Sequence, residues 1–204
     1  MTDKKQHLIN TAIQLFAVNG FEGTSMRDLA ASADVNLSMI NYYFGTKEKL
    51  LENLIETRNE TTKGILDEIA HNSRLSGMEK INIIIENSVT RIFAQRDFQR
   101  VVHQELMLNN REQLQDSIVD LVFPNSLAIQ KIIEAGIESG EFKAVDAGLT
   151  VASIMGTIHQ LVQSRKLCNK FLEKDNSYVP YDDPEFRKRV INHLLQLAKS
   201  HLLK

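Results

Sequence analysis

The chain is short of the features that would tie it to an oxidising compartment, a membrane or a strand-built fold. Its single cysteine, Cys168, has no second thiol in the chain to pair with, which points to a reducing setting. No stretch approaches the roughly 20 consecutive apolar residues of a membrane-spanning helix. The N-terminal MTDKKQHLIN carries acidic and basic residues where a secretory leader needs an apolar run. A cytoplasmic protein is therefore expected. Three prolines and nine glycines among 204 residues are few, and they fall at breaks between 3.6-period patterns, not within alternating strands. A one-sided charge is missing too: 24 basic against 26 acidic residues exclude a polybasic tail or a strongly acidic disordered chain, and name no partner. HExxH, CxxC, GxSxG and phosphate-binding glycine loops are all absent. No enzyme, cofactor or metal site is expected.

What is present is a chain with 43% hydrophobic residues, enough for one substantial core or two smaller ones without disulfide or metal. The patterns predict an all-α fold of about nine helices. The first opens at Asp3, with Gln6 as its capping-box partner, buries Leu8, Ile9, Ala12, Ile13 and Phe16, and stops at Asn19-Gly20. Ser25 with Asp28 opens a short second helix. Asn36 caps a third, with Ile40 and Phe44 inward and Gly45 as its stop. Thr46 then caps a long helix from Lys47 to about His71, with apolar Leu50, Leu51, Leu54, Ile65, Leu66 and Ile69. Ser76 with Glu79 opens the next, carrying Ile81, Ile84, Ile85, Ser88, Val89, Ile92 and Phe93. Residues 98–122 read as one or two helices interrupted near Asn109-Asn110, and Pro124 as the start of another that ends at Ser139-Gly140. A helix from about Asp146 to Leu167, a polar connection, and a last helix started by Asp183-Pro184 complete the chain.

Two short helices joined by Ser32-Ala33-Asp34-Val35-Asn36 and packed on a preceding helix form a helix-turn-helix unit. Such a unit lays its second helix in the major groove. With Ile40 and Phe44 inward, Leu37, Ser38, Asn41 and Tyr42 face broadly outward, flanked by Met39 and Tyr43. Asn can pair with adenine, hydroxyls reach phosphates, and Leu37 or Met39 can meet a thymine methyl. A second reading stands beside this one, in which Tyr42 and Tyr43 cover the helical hairpin with their rings. Charge does not separate the two: over residues 1–50, Lys4, Lys5, Arg27, Lys47 and Lys49 are matched by Asp3, Glu22, Asp28, Asp34 and Glu48, where a DNA-binding face usually shows a basic excess.

The run from Leu8 to about Leu54 resembles the DNA-binding domain of the TetR family of bacterial transcriptional regulators. The resemblance rests on AIQLFAVNGFEGTSMRDLA, the Val35-Asn36-x-Ser38 turn, the Tyr42-Tyr43-Phe44 ending and the Gly45-Thr46-Lys47-Glu48-Lys49-Leu50 start of the fourth helix. It implies a homodimer whose heads enter successive major grooves of an imperfect palindrome, with a ligand pocket and dimer interface in the C-terminal domain. The domains would be residues 1–46 and 47–204, linked by the helix from 47 to about 71. Carried over by position, Thr24, Ser25 and Arg27 would lie along the DNA backbone. Leu37, Ser38, Met39, Asn41, Tyr42 and Tyr43 would make the recognition-helix contacts, and Lys47 would hold a phosphate. Asn41 stands where a tyrosine is frequent in the family and Met39 where a small polar residue is frequent, so base preference does not carry over.

Beyond residue 75 the expectations are physical. Gly148, Ala152, Ser153 and Gly156 lie near one side of a helix and permit close approach of another. With Val190, Leu194, Leu197 and Leu202 of the last helix they suggest a four-helix dimer bundle, intramolecular packing being the alternative. Polar groups on apolar faces mark ligand-pocket candidates: Asn87, Ser88, Arg91, His103, Met107 and His159, with Phe123 as a wall. Each of these residue types is more often structural: His103 and His159 read first as core or interface histidines, and Arg91 or Arg100 could pair with Glu105 as readily as with an acidic effector. The function expected is a ligand-responsive repressor acting as a homodimer on double-stranded DNA, with an unidentified small-molecule effector. The alternative is a dimeric helical sensor of a small molecule or protein that does not bind DNA.

Overall fold

The computed structural model describes residues 3–108 and 111–204. Their regular elements are all helical: α1 (Asp3–Asn19), α2 (Met26–Ser32), α3 (Leu37–Phe44), α4 (Lys47–His71), α5 (Gly77–Ala94), α6 (Arg96–Met107), α7 (Glu112–Glu138), α8 (Ala147–Gln163), α9 (Arg165–Phe171), a 3-10 turn (Pro180–Asp182) and α10 (Pro184–Leu202). The all-α expectation holds, with ten α-helices among the described residues against about nine expected.

The boundaries follow local chemistry. Ser25 and Asp28 form a reciprocal capping box on α2, and Ser76 and Glu79 form one on α5. The Asn36 side chain accepts from the Ser38 amide to cap α3, and that of Asp183 accepts from the Glu185 and Phe186 amides to cap α10. Gly20, Gly45 and Gly140 carry φ of 76°, 73° and 77°, left-handed values that glycine reaches without steric cost and that end α1, α3 and α7.

Several boundaries differ from expectation. Asp3 already lies within α1, and Gln6 donates forward to Asn10 instead of reaching back. Pro124 starts no helix but sits inside α7. An interior proline costs about 3 kcal/mol, and burial of Leu114, Ile118, Ile129, Ile132 and Ile133 along the same helix offsets it, at about 1.5–3 kcal/mol for each fully buried side chain. The expected helix from 146 to 167 is two, because Ser164 adopts extended backbone (φ −142°, ψ 109°), ends α8, and accepts from the Leu167 amide to start α9. The break expected at Asn109-Asn110 lies outside the described residues.

The chain forms two compact units, one comprising Met1–Thr61 and Asp97–Phe123, the other Thr62–Arg96 and Pro124–Lys204. In the first, Ile9, Ala12 and Phe16 of α1 meet Leu29 of α2, Ile40 and Phe44 of α3, and Leu50, Leu51 and Leu54 of α4 in one buried core. Phe98, Val101 and Val102 of α6 and Leu114 and Ile118 of α7 complete it. The second unit is built on α5, α8 and α10: Ile85, Val89, Ile92 and Phe93 pack with Val151, Ile154, Ile158, Val190, Leu194 and Leu202. Phe93 stacks on Phe186 at 5.7 Å and meets Tyr181 edge-on at 5.5 Å.

Candidate nucleic-acid interface and effector cavity

Helix α3 is too short to stand alone in water. It is held by its Asn36 cap and by Ile40 and Phe44, which alternate at i, i+4 into the core of the first unit. That anchorage turns Ser38, Asn41 and Tyr42 outward, with Leu37 and Met39 half-buried at the sides. Tyr42 is 85% exposed and its ring leans edge-on against Tyr43 at 5.5 Å. The reading in which both tyrosines cover the hairpin fails for Tyr42. Tyr43, at the margin of exposure and 6.1 Å from the Phe44 ring, serves both surface and core.

The residues leading into α2 divide differently. Arg27 is exposed. Ser25 is exposed too, but its hydroxyl donates to the Asp28 carboxylate at 2.6 Å and accepts from the Asp28 amide. The bond from the hydroxyl, with a second from the Ser25 amide at 2.8 Å, holds the Asp28 carboxyl below its ordinary value. Thr24 is a correction: it is fully buried, its hydroxyl donating to the Gly20 carbonyl at 2.9 Å. Its side chain offers DNA no surface and instead ties the end of α1 to the start of α2.

Lys47 sits at the start of α4 with its ammonium donating to the Phe21 carbonyl at 2.8 Å, above the Phe21 ring at 4.4 Å and 3.8 Å from Glu22. Arg111, which sequence reasoning missed, completes this cluster with Glu22 and Glu105. Arg111, at the foot of α7, pairs with Glu22 and with buried Glu105 of α6, and stands 4.8 Å from the same Phe21 ring. Burial pushes the Glu105 carboxyl up from its ordinary value, with the Lys47 charge acting against the rise. A charge count over residues 1–50 omits both Arg111 and Glu105, which the fold adds to the head as an ion pair.

The expected pocket residues are not all brought together. Asn87, Ser88 and Arg91 line one cavity of about 300 Å³ between α4 and α5, whose other walls are Thr62, Ile65, Leu66, Ile69, Ile84, Thr90 and Ala94. Ile65, expected as a core position, is 37% exposed at its rim. His103, Met107 and Phe123 belong to the first unit. Met107 and Phe123 are exposed, and burial pulls the His103 imidazole below its ordinary value. His159 is half-buried on α8 and lines neither cavity described for the second unit. The expected Arg91–Glu105 and Arg100–Glu105 pairs do not form: Glu105 takes Arg111, and Arg100 faces Asp97 at 3.8 Å.

A larger groove of about 680 Å³ in the second unit is lined by Asp67, His71, Lys80, Lys131 and Glu141 among others. Two of its charged groups are already engaged in holding helix ends. Glu141 accepts from the Gly77 and Met78 amides at the start of α5, and Lys80 donates to the Ala70 carbonyl near the end of α4. The smaller cavity is the better candidate on chemistry, since its guanidinium has no such duty.

On the outer side of α8, Ala152, Ser153 and Gly156 are exposed beside Leu149, which is 67% exposed. A Cβ built on Gly156 would meet nothing within 4 Å. Leu197 of α10 is 39% exposed, but Val190 and Leu194 are not surface residues. They fall on the stripe Phe186, Val190, Leu194, Ala198 and Leu202, whose i, i+4 spacing turns it into the unit's own core. Of the expected interface residues, Ala152, Ser153, Gly156 and Leu197 are exposed, and Val190 and Leu194 are not.

Comparison with known proteins agrees with this geometry. The pattern described as "Bacterial regulatory proteins, tetR family" matches residues 8–54, and that of a tetracyclin repressor-like C-terminal domain matches residues 74–163. The "Probable HTH-type transcriptional regulator YttP" of Bacillus subtilis is 30% identical over 139 residues, 68% of this chain and 67% of the relative. The "Fatty acid metabolism regulator protein" of the same organism is 26% identical over 161 residues, 78% of this chain and 81% of the relative. Among solved structures, the regulator FadR from Bacillus subtilis in complex with stearoyl-CoA superposes with a TM-score of 0.75 at 23% identity, over 94% of this chain and 96% of that one.

Proposed function

Because the chain belongs to the TetR family of bacterial regulatory proteins, with a helix-turn-helix DNA-binding domain, we propose that it is an effector-responsive repressor that binds a two-fold operator as a homodimer in the cytoplasm. One observation carries the reading: α3 is anchored by Ile40 and Phe44 yet presents Ser38, Asn41 and Tyr42 to solvent, a face with donors, acceptors and an aromatic ring. Base edges would meet Leu37, Met39 and Asn41, and phosphates Ser38, Arg27 and the tyrosine hydroxyls. Lys47 would hold a phosphate through the donors that its bond to Phe21 leaves over. We assign residues 1–46 to DNA binding and residues 47–204 to effector binding and dimerisation, although α6 and the first half of α7 share a core with the head.

Dimerisation is supported by the exposed Leu149, Ala152, Ser153 and Gly156 face, whose small residues allow close helix approach. A small-molecule effector is supported by the cavity between α4 and α5 and by the stearoyl-CoA described in one similar structure. Effector and operator would each weaken the other's binding by the same factor, at a coupling of about 1–3 kcal/mol.

The test is fluorescence anisotropy with duplex DNA taken from immediately upstream of the protein's own gene, against a scrambled duplex, over a salt series. Tight, selective binding that falls steeply with salt is expected, since each neutralised phosphate releases counterions. Absence of selective binding there and across a panel of random duplexes would overturn the reading and favour a sensor that does not bind DNA.

A further inference from the structure

Arg91 is the guanidinium that lines the cavity between α4 and α5. It is half-buried, and desolvation pulls its guanidinium down from its ordinary value, although an arginine remains charged at any physiological pH. The positions one turn away on its own helix are Asn87, Ser88, Ala94 and Gln95, none of them acidic. The side chains facing it across the cavity from α4 are Thr62, Ile65, Leu66 and Ile69. Among the described residues it makes no ion pair or hydrogen bond. A guanidinium partly shielded from water with no counterion loses hydration that no partner replaces, and here it lines a cavity whose walls include Ile65, Leu66, Ile69 and Ile84. Nearby Arg96, by contrast, is paired with Asp182 at 3.2 Å.

We propose that the α4–α5 cavity binds an amphiphile with a single carboxylate, its head on the Arg91 guanidinium beside the buried Ser88 hydroxyl and its apolar body along Ile65, Leu66, Ile69 and Ile84. One cation selects one negative charge, and the planar guanidinium fork matches a planar carboxylate bidentately. A dianionic phosphate would leave a charge unmatched. The volume of about 300 Å³ stands at the lower end of ligand pockets, about 300–1,000 Å³, so the body is of medium length. A thioester of the same acid carries no charge at its first carbon, so the guanidinium distinguishes free acid from acyl-CoA. The inference rests on the effector-responsive reading for its consequence, release of DNA, while binding at the cavity is measured without DNA.

The experiment is isothermal titration of the full chain with decanoate, decanol and decanoyl-CoA, below the concentration at which any of them aggregates. Decanoate is expected to bind, and decanol to bind about tenfold more weakly or worse, the scale of one charge-assisted hydrogen-bonded pair. Arg91→Gln should remove that preference while the far-UV spectrum is kept. Ile65→Trp, at the exposed rim, should block decanoate by filling the cavity and gives the answer if Arg91→Gln does not fold. Equal affinity for decanoate and decanol, decanoate binding unchanged in both variants, or binding of decanoyl-CoA alone would each overturn the assignment. A failure of operator binding would be seen separately in the ligand-free anisotropy experiment.

Discussion

The recognition face contains residues of two kinds, and substitution separates them. Tyr42 is 85% exposed and touches only the rim of the core through the Tyr43 ring, so Tyr42→Ala should change stability by no more than about 0.5 kcal/mol while weakening operator affinity. A calorimetric melt beside the anisotropy titration checks both, and a large fall in melting temperature would return Tyr42 to the core. Lys47 differs, because its ammonium is tied to the Phe21 carbonyl and lies over the Phe21 ring. Lys47→Ala should lose affinity and also about 1–3 kcal/mol of stability, the range for a hydrogen bond to a charged group. Thr24 lies wholly on the structural side. Thr24→Val keeps the shape but removes the donor to Gly20, and should cost about 1–3 kcal/mol in denaturant unfolding with operator affinity per folded molecule unchanged. A selective loss of affinity in that variant would place Thr24 back at the DNA.

At the scale of helices, three cap carboxylates share one electrostatic signature. Asp28 is held below its ordinary value first by the Ser25 hydroxyl, Glu79 first by the Ser76 amide, and Asp183 first by the Tyr178 hydroxyl. A carboxyl lowered in the folded state contributes stability that is complete above its unfolded pKa, about 4, and is lost as pH falls through the lowered folded value. Thermal unfolding followed by circular dichroism should therefore weaken below about pH 4. The combined Asp28→Asn, Glu79→Gln and Asp183→Asn variant should show a flatter acid limb, and an unchanged limb would assign acid sensitivity elsewhere. The same caps explain what could be read in advance. Ser25-Asp28, Asn36, Ser76-Glu79 and Asp183-Pro184 act within one turn, so spacing alone reveals them. Pro124 inside α7 and the extended Ser164 depend on burial along neighbouring helices, and local rules misplace both. The Lys47–Glu22–Arg111–Glu105 cluster joins residues far apart in the chain, and no periodicity signals it. Arg91 was legible as a polar group on an apolar face, but its lack of a counterion was not, because that depends on where Glu105 went.

At the scale of the whole molecule, the proposed dimer would rest on the exposed outer face of α8. Gly156 lies in a helix interior where glycine costs about 1 kcal/mol relative to alanine, and among the described residues nothing outside its own helical turn lies within 4 Å of a Cβ built there. A single chain offers no packing reason for that cost; a second copy does, since a symmetric contact lets two small-residue stripes approach closely. Gly156→Arg should place a long cation on that face of both partners, halve the mass measured by analytical ultracentrifugation, and abolish tight operator binding, because a monomer holds one half-site without the gain from linkage. Gly156→Ala sharpens the distinction. If the face is free, alanine raises the melting temperature through helix propensity and leaves mass and affinity as they were. If a partner's helix fills the space, the added methyl groups crowd the contact, and the concentration needed to hold the dimer rises. An arginine variant that remains dimeric and binds operator normally would move the interface off α8.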